Sequence, residues 1–189
     1  ALLQARHLHA TGIPPALSAA THELSVELMT QMRKAGRSVS FDPNLRPSLW
    51  ANQQTMVREI NALAGLADWV LPGLGEGRLL TGFDDPADIA AFYLDQGAEA
   101  VAIKLGPDGA YYRTQMDQGF VAAVRVDTVV DTVGAGDGFA VGMISALLEN
   151  LGFREAVERG NWIGSRAVQS RGDMEGLPTR SELPSRSVA

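Results

Sequence analysis

Residues 131–148 read DTVGAGDGFAVGMISALL, two acids and two glycines leading straight into an apolar run rich in small residues. Gly134 and Gly136 open backbone angles that side chains disfavour, so the N–H groups from about Ala135 to Asp137 can converge at the start of a helix. The helix dipole adds partial positive charge there, making a site for developing negative charge. A carboxylate in that place would repel a phosphate unless it had another task, such as taking a proton from an attacking hydroxyl. The competing role for Asp137 or Asp131 is to cap the helix, a common use of Asp.

Outward from this stretch, helical and extended segments take turns. SAATHELSVELMTQMRKA (18–35) carries Leu24, Leu28 and Met32 at helical spacing and stops at Gly36. RSVSFDP then alternates Val39 with Phe41 and presents Asp42 and Asn44 at the carboxyl end of a short strand. A helix is expected over 53–66, a strand over 68–72, a helix in PADIAAFYLDQG (86–97) and a buried strand in AVAIKLG (100–106). After Gly106, GAYYRT and QGFVAAVRV read as neighbouring antiparallel strands, with turns at Pro107–Gly109 and Asp117–Gly119. Helices from about Gly136 and from about Arg154 to Gln169 complete the pattern. Such alternation predicts a parallel sheet with helices on both faces, where ligands gather at the carboxyl ends of the strands. The opening motif belongs at such an end.

The chain has 189 residues, 46% of them hydrophobic, enough for one domain or a large part of one. Lys and Arg number 16 against 22 Asp and Glu, and the net charge of -6 argues against a nucleic-acid or anionic-membrane surface. The absence of Cys excludes a disulfide framework and a thiolate metal site and suits a reducing cytoplasm. No apolar run approaches the roughly 20 residues of a spanning helix. A soluble, cytoplasmic protein is expected. There is no Gly-Lys pair, hence no Walker A loop, and a dinucleotide fingerprint on Gly134 and Gly136 fails at Phe139.

DTVGAGDGF resembles the carboxyl-terminal signature of the ribokinase-like, or PfkB, carbohydrate kinases. KLGPDGAYY before it and Asn161 in RGNWIGSRAVQSRG after it stand in the family's order. SFDPNLRPSLW is similar to the sugar-acid branch, the 2-keto-3-deoxygluconate and 2-ketogluconate kinases. LHATGIPPALS, ADWVLPGLGEGRLLTG and RGDMEGLPTR bring the likeness closest to the 2-ketogluconate kinases. The fold so implied is a ribokinase-like three-layer αβα sandwich with a mostly parallel sheet. Residues 1–189 would form its C-terminal, nucleotide-binding and catalytic part.

The resemblance implies a role for each matching residue. Asp137 is the base that takes the sugar hydroxyl proton and also contacts substrate, while Gly134, Ala135 and Gly136 form the anion hole. Lys104, Gly106 and Gly109 lie along ATP, and Asn161 sits near the adenine. From residue type alone, a buried strand with a turn and a helix-surface Asn are the alternatives. Asn44 and Arg46 stand near substrate and phosphates. An Arg fork suits carboxylate or phosphate, the alternative being a surface ion pair. Glu76 matches the glutamate of the family's NxxE motif, associated with magnesium, although position 73 is Gly rather than Asn. Its acid could equally favour a helix start.

The expected ligands are therefore ATP, Mg2+ and a sugar acid, with no nucleic acid and no membrane, and a homodimer is compatible with the full-length protein. Relative to the family the chain opens mid-fold, without the first strands and the lid. A non-catalytic nucleotide-binding fragment or regulatory module and a kinase for a neutral sugar such as fructose or ribose are the alternatives. An NAD-dependent oxidoreductase is disfavoured by Phe139.

Overall fold

The computed structural model describes residues 4–184. The described chain enters through strand β1 (His7–Thr11) and a single turn, α1 (Pro14–Leu17). Ser18 then opens α2 (Ala19–Lys34), its hydroxyl accepting from the Thr21 N–H at 3.2 Å while the Thr21 hydroxyl accepts from the Ser18 N–H. The chain turns at Gly36 into β2 (Ser38–Asp42). Asn52 caps α3 (Gln53–Ala64) in the same manner, taking the Thr55 N–H at 2.8 Å.

Beyond α3 come β3 (Trp69–Val70), α4 (Leu74–Thr81), α5 (Pro86–Asp95), β4 (Ala100–Lys104), β5 (Gly109–Thr114) and β6 (Gln118–Ala122). The last helices are α6 (Ala135–Leu148) and α7 (Phe153–Ala167). The six strands form one sheet in sequence order, β1 to β4 parallel and β5 antiparallel to β4. That is the mixed, mostly parallel sheet the sequence predicts.

Contacts divide the chain into two units, residues up to 106 with 110–120, and 107–109 with residues from 121 onward. In the first, α2 to α5 press Met29, Met56, Ile60 and Ile89 onto Val39, Phe41, Val70 and Val101 of the sheet. Each large side chain so removed from water contributes roughly 1.5–3 kcal/mol. Asp68, 8% exposed, ties this layer together, taking the Val39 N–H at 2.7 Å and pairing with Arg33 at 3.3 Å. In the second unit, α6 and α7 lie almost backbone to backbone. A Cβ on Gly142 would fall 2.7 Å from the Arg159 carbonyl oxygen. The Arg159–Glu149 pair at 2.9 Å closes the same interface.

Three described elements, α4, β3 and β6, differ from the sequence reading. The segment forming α4, LGEGRLLT, holds two glycines that weaken its helical signal, and it is held by bonds from outside: Asn61 Nδ2 donates to the Leu80 carbonyl at 2.8 Å. β3 covers only Trp69–Val70 of the expected 68–72, and β6 ends at Ala122 rather than running on to Val126. Among the described residues no helix is long and apolar enough to cross a membrane.

Candidate functional site

The period-two alternation of β2 sends Val39 and Phe41 into the helix-covered core and Ser38, Ser40 and Asp42 to the opposite face. Asp42, 2% exposed, stands at the strand's carboxyl end. Its Oδ2 pairs with Nζ of Lys104, which occupies the equivalent end of β4. Its Oδ1 accepts the Asn44 N–H at 3.2 Å. Asn44 takes a left-handed backbone, φ 38°. Its own Oδ1 accepts from Arg46 Nη1 at 2.7 Å, and that nitrogen also donates to the Leu45 carbonyl at 3.0 Å. No carboxylate pairs with Arg46 among the described residues.

Glu76 lies in the first turn of α4 and takes two backbone N–H groups, from Gly73 at 2.7 Å and from Leu45 at 2.8 Å. It therefore joins a helix start to the loop that carries Arg46. Burial, with the Glu76 charge second, pushes the neighbouring Tyr93 phenol well above its usual range. No cluster of three or more His, Cys, Asp or Glu able to hold a metal forms among the described residues. Gly106, φ 62°, begins the short turn after β4.

In the second unit Gly134 is the N-cap of α6, and its left-handed φ of 77° turns the chain into the helix. A Cβ there would sit 2.7 Å from the Asp173 carbonyl oxygen, so the turn and the contact both demand glycine. Ala135 and Gly136 lie within the first helical turn. The Gly136 and Asp137 N–H groups have no backbone acceptor among the described residues, as the start of a helix requires. No side-chain bond caps this helix, and Asp137 stands exposed in its first turn. It is Asp131 that bonds locally, its Oδ1 taking the Val133 N–H at 3.0 Å.

Asn161 is engaged by backbone. Its Nδ2 donates to the carbonyls of Val121 and Ala122 at 3.0 and 3.1 Å, joining α7 to the end of β6. Gly109, φ 110°, begins β5. Thus Asn44, Arg46, Glu76 and Lys104 gather around Asp42 and Leu45 in one unit. In the other, Gly134, Ala135, Gly136 and Asp137 share one helix start.

Two features went unread in the sequence. Asp42, read there only as a strand-end residue, is the hub of the first cluster through its pairing with Lys104 and Asn44, and the polar face Ser38, Ser40, Asp42 carries a second set of bonds. Along that face, His7 Nδ1 meets the Ser38 hydroxyl and Nε2 the Ser40 hydroxyl, both at 2.9 Å, and His9 Nδ1 meets Ser40 at 2.7 Å. The His7 ring stacks on Trp69 with centroids 4.9 Å apart. Burial first, then the neighbouring His9, lowers the His7 pKa to about 4.

Residues 1–180 match the family described as pfkB family carbohydrate kinase. The 2-dehydro-3-deoxygluconokinase of Bacillus subtilis (strain 168) is 60% identical over 181 residues, 96% of this chain and 56% of that protein. Among solved structures, the PfkB protein from Polaromonas sp. JS666 superposes with a TM-score of 0.87 at 57% identity, over 96% of this chain and 57% of that one. The aminoimidazole riboside kinase from Salmonella enterica, complexed with aminoimidazole riboside and an ATP analog, superposes with a TM-score of 0.84 at 32% identity, over 94% and 61%. The chain spans little more than half the length of these relatives.

Proposed function

The chain belongs to the pfkB family of carbohydrate kinases, and from that membership we propose that the protein transfers the γ-phosphoryl group of ATP to a hydroxyl of a sugar acid. The observation that carries this reading is the start of α6. A glycine there caps the helix, two N–H groups have no backbone acceptor, and an exposed Asp137 is free of capping work. Such a turn suits an anion, and such a carboxylate suits a proton.

In the proposed reaction the acceptor hydroxyl oxygen attacks the γ-phosphorus while its proton passes to the Asp137 carboxylate. The bond from phosphorus to the bridging oxygen breaks in line, and ADP leaves. The Gly136 and Asp137 N–H groups that the Gly134-Ala135-Gly136 turn leaves without a backbone acceptor stabilise charge on the transferring phosphoryl, and positioning provides most of the remaining catalysis. We assign Lys104, Gly106 and Gly109 to the nucleotide phosphates and ribose, and Asn161 to holding the strand end beside the adenine.

Magnesium, if bound with the nucleotide, would offset the charge of the phosphates, and Glu76 is the described residue that would face it. The described residues suit a cation that arrives with the nucleotide rather than one caged by protein ligands. Each Glu76 oxygen already accepts one backbone N–H, so this carboxylate would contribute charge near the cation while holding the Gly73 and Leu45 backbone.

Arg46, anchored through Nη1 with no carboxylate partner, suits the carboxylate of the acceptor, with Asn44 beside it. Identity of 60% to a 2-dehydro-3-deoxygluconokinase supports the 2-keto-3-deoxy acid ahead of 2-ketogluconate, since "dehydro" there denotes the same carbonyl. The test is ADP release by the full-length protein with 2-keto-3-deoxygluconate, 2-ketogluconate, fructose and ribose as acceptors. Preference for either neutral sugar overturns the acid assignment, and ATP binding without acceptor-dependent ADP release leaves a nucleotide-binding module.

A further inference from the structure

Two cations to which the proposed reaction gives different ligands are tied to a single buried carboxylate, Lys104 by direct contact and Arg46 through the intervening Asn44. Asp42 uses its oxygens separately. Oδ2 meets the Lys104 ammonium, whereas Oδ1 takes the Asn44 N–H at 3.2 Å. The second bond has a mechanical consequence. Asn44 is a non-glycine residue at φ 38°, an unfavourable conformation that persists only where neighbouring bonds hold it. Held so, its side-chain oxygen receives Arg46 Nη1 at 2.7 Å. The loop is pinned from its other side by Leu45 N–H on Glu76. Nη1 of Arg46 is thereby occupied by its own loop, which leaves Nε and Nη2, one edge of the fork, for a ligand.

Asp42 itself is firmly seated. It ends a strand paired with β1, its backbone carbonyl accepts the Gly12 N–H at 3.0 Å, and it is almost wholly buried. A carboxylate so placed with one cation has its second oxygen oriented by the first interaction. A charge at the carboxyl end of β4 and the turn that follows the carboxyl end of β2 are thus set by one side chain.

We propose that Asp42 is the positioning residue for both cations, holding Lys104 through its charge and Arg46 through the Asn44 turn. The inference rests on the reading that Lys104 serves the nucleotide and Arg46 the acceptor acid.

The two halves of Asp42 separate by substitution. Asp42→Asn keeps an oxygen for the Asn44 N–H and loses the charge facing Lys104. Asp42→Ala loses both. Direct titration of the full-length protein with a non-hydrolysable ATP analogue and with 2-keto-3-deoxygluconate requires no turnover, and circular dichroism melting reports folding. Expected is a weakening for the ATP analogue by about tenfold or more in Asp42→Asn, with the acid within about twofold, and a weakening for both ligands in Asp42→Ala. The double variant Asp42→Asn, Lys104→Met leaves no unpaired charge. It should bind the ATP analogue as Lys104→Met alone does, because the two residues act as one unit. Folded variants of Asp42 that bind both ligands as the wild type does, or losses in the double variant that multiply, overturn the inference. Wild-type protein that binds neither ligand sinks the kinase reading, and this inference with it.

Discussion

Lys104 and Asp42 form an ion pair across the carboxyl ends of β4 and β2, with β3 between them in the sheet. The pair lies where an open α/β sheet offers its strand ends to ligands. Its lysine was singled out in the sequence by family likeness and its aspartate by a strand pattern, and only the sheet order brings them together.

Replacing Asp137 by Asn keeps the shape of the first turn of α6 and removes the proton acceptor. Turnover of the full-length enzyme should fall by roughly 10² to 10⁴ while ATP binding stays within a fewfold of wild type. Steady-state kinetics beside calorimetric titration check this. Near-normal turnover would remove Asp137 from the chemistry.

Gly134→Ala and Gly136→Ala should differ in stability. At Gly134 the added Cβ meets the Asp173 carbonyl oxygen at 2.7 Å in a left-handed residue, a loss of about 1–3 kcal/mol in urea unfolding. Gly136 lies inside the helix, where alanine is favoured by up to about 1 kcal/mol. Equal destabilisation by the two would contradict the assigned turn.

Arg46→Lys keeps the charge and loses the fork. If Arg46 meets the acceptor carboxylate, KM for 2-keto-3-deoxygluconate should rise by about tenfold or more, with much less change for fructose. A uniform fall in turnover for every acceptor would instead assign the guanidinium to the phosphoryl group.

The Asn161 amide donates to two carbonyls, so Asn161→Ala should lower stability by about 1–3 kcal/mol. Thermal or urea unfolding reads this without nucleotide. An unchanged midpoint would leave Asn161 with a ligand role alone.

His7 supplies a pH dependence with a definite sign. Its folded pKa, about 4, lies below the ordinary 6.5, so the unfolded chain takes up this proton first as the pH falls. The contribution of neutral His7 is whole above pH 6.5 and is lost progressively between pH 6.5 and 4. The loss should come to about 1–2 kcal/mol after allowing for solvent screening of a partly buried ring. Urea unfolding at pH 7.5 and pH 5 should show a smaller difference for His7→Asn than for wild type. Equal differences would remove His7 from the acid response.

Periodicity and breakers located most elements, because a helix start such as Ser18, a stop such as Gly36 and the alternation of Val39 with Phe41 are local properties of the chain. The Gly134 turn was legible for the same reason, a left-handed residue at a helix entrance being the work of glycine. α4 was not legible, since its glycines lower the local signal and its fixing partner Asn61 lies 19 residues from Leu80. Nor was the His7–Trp69 stack, which joins residues on two different strands.

What the sequence determined by itself was the α/β alternation, the glycine-led helix start at Gly134, and the family to which its motifs belong. Tertiary structure alone decided that Asp42 faces Lys104, that Glu76 accepts the Leu45 N–H, and that the Asn161 amide is occupied by backbone. The physical reason is range. Backbone conformation and amphipathic spacing are set within a few residues, whereas a buried charge or amide finds its partner only when sheet order and register bring distant strand ends side by side.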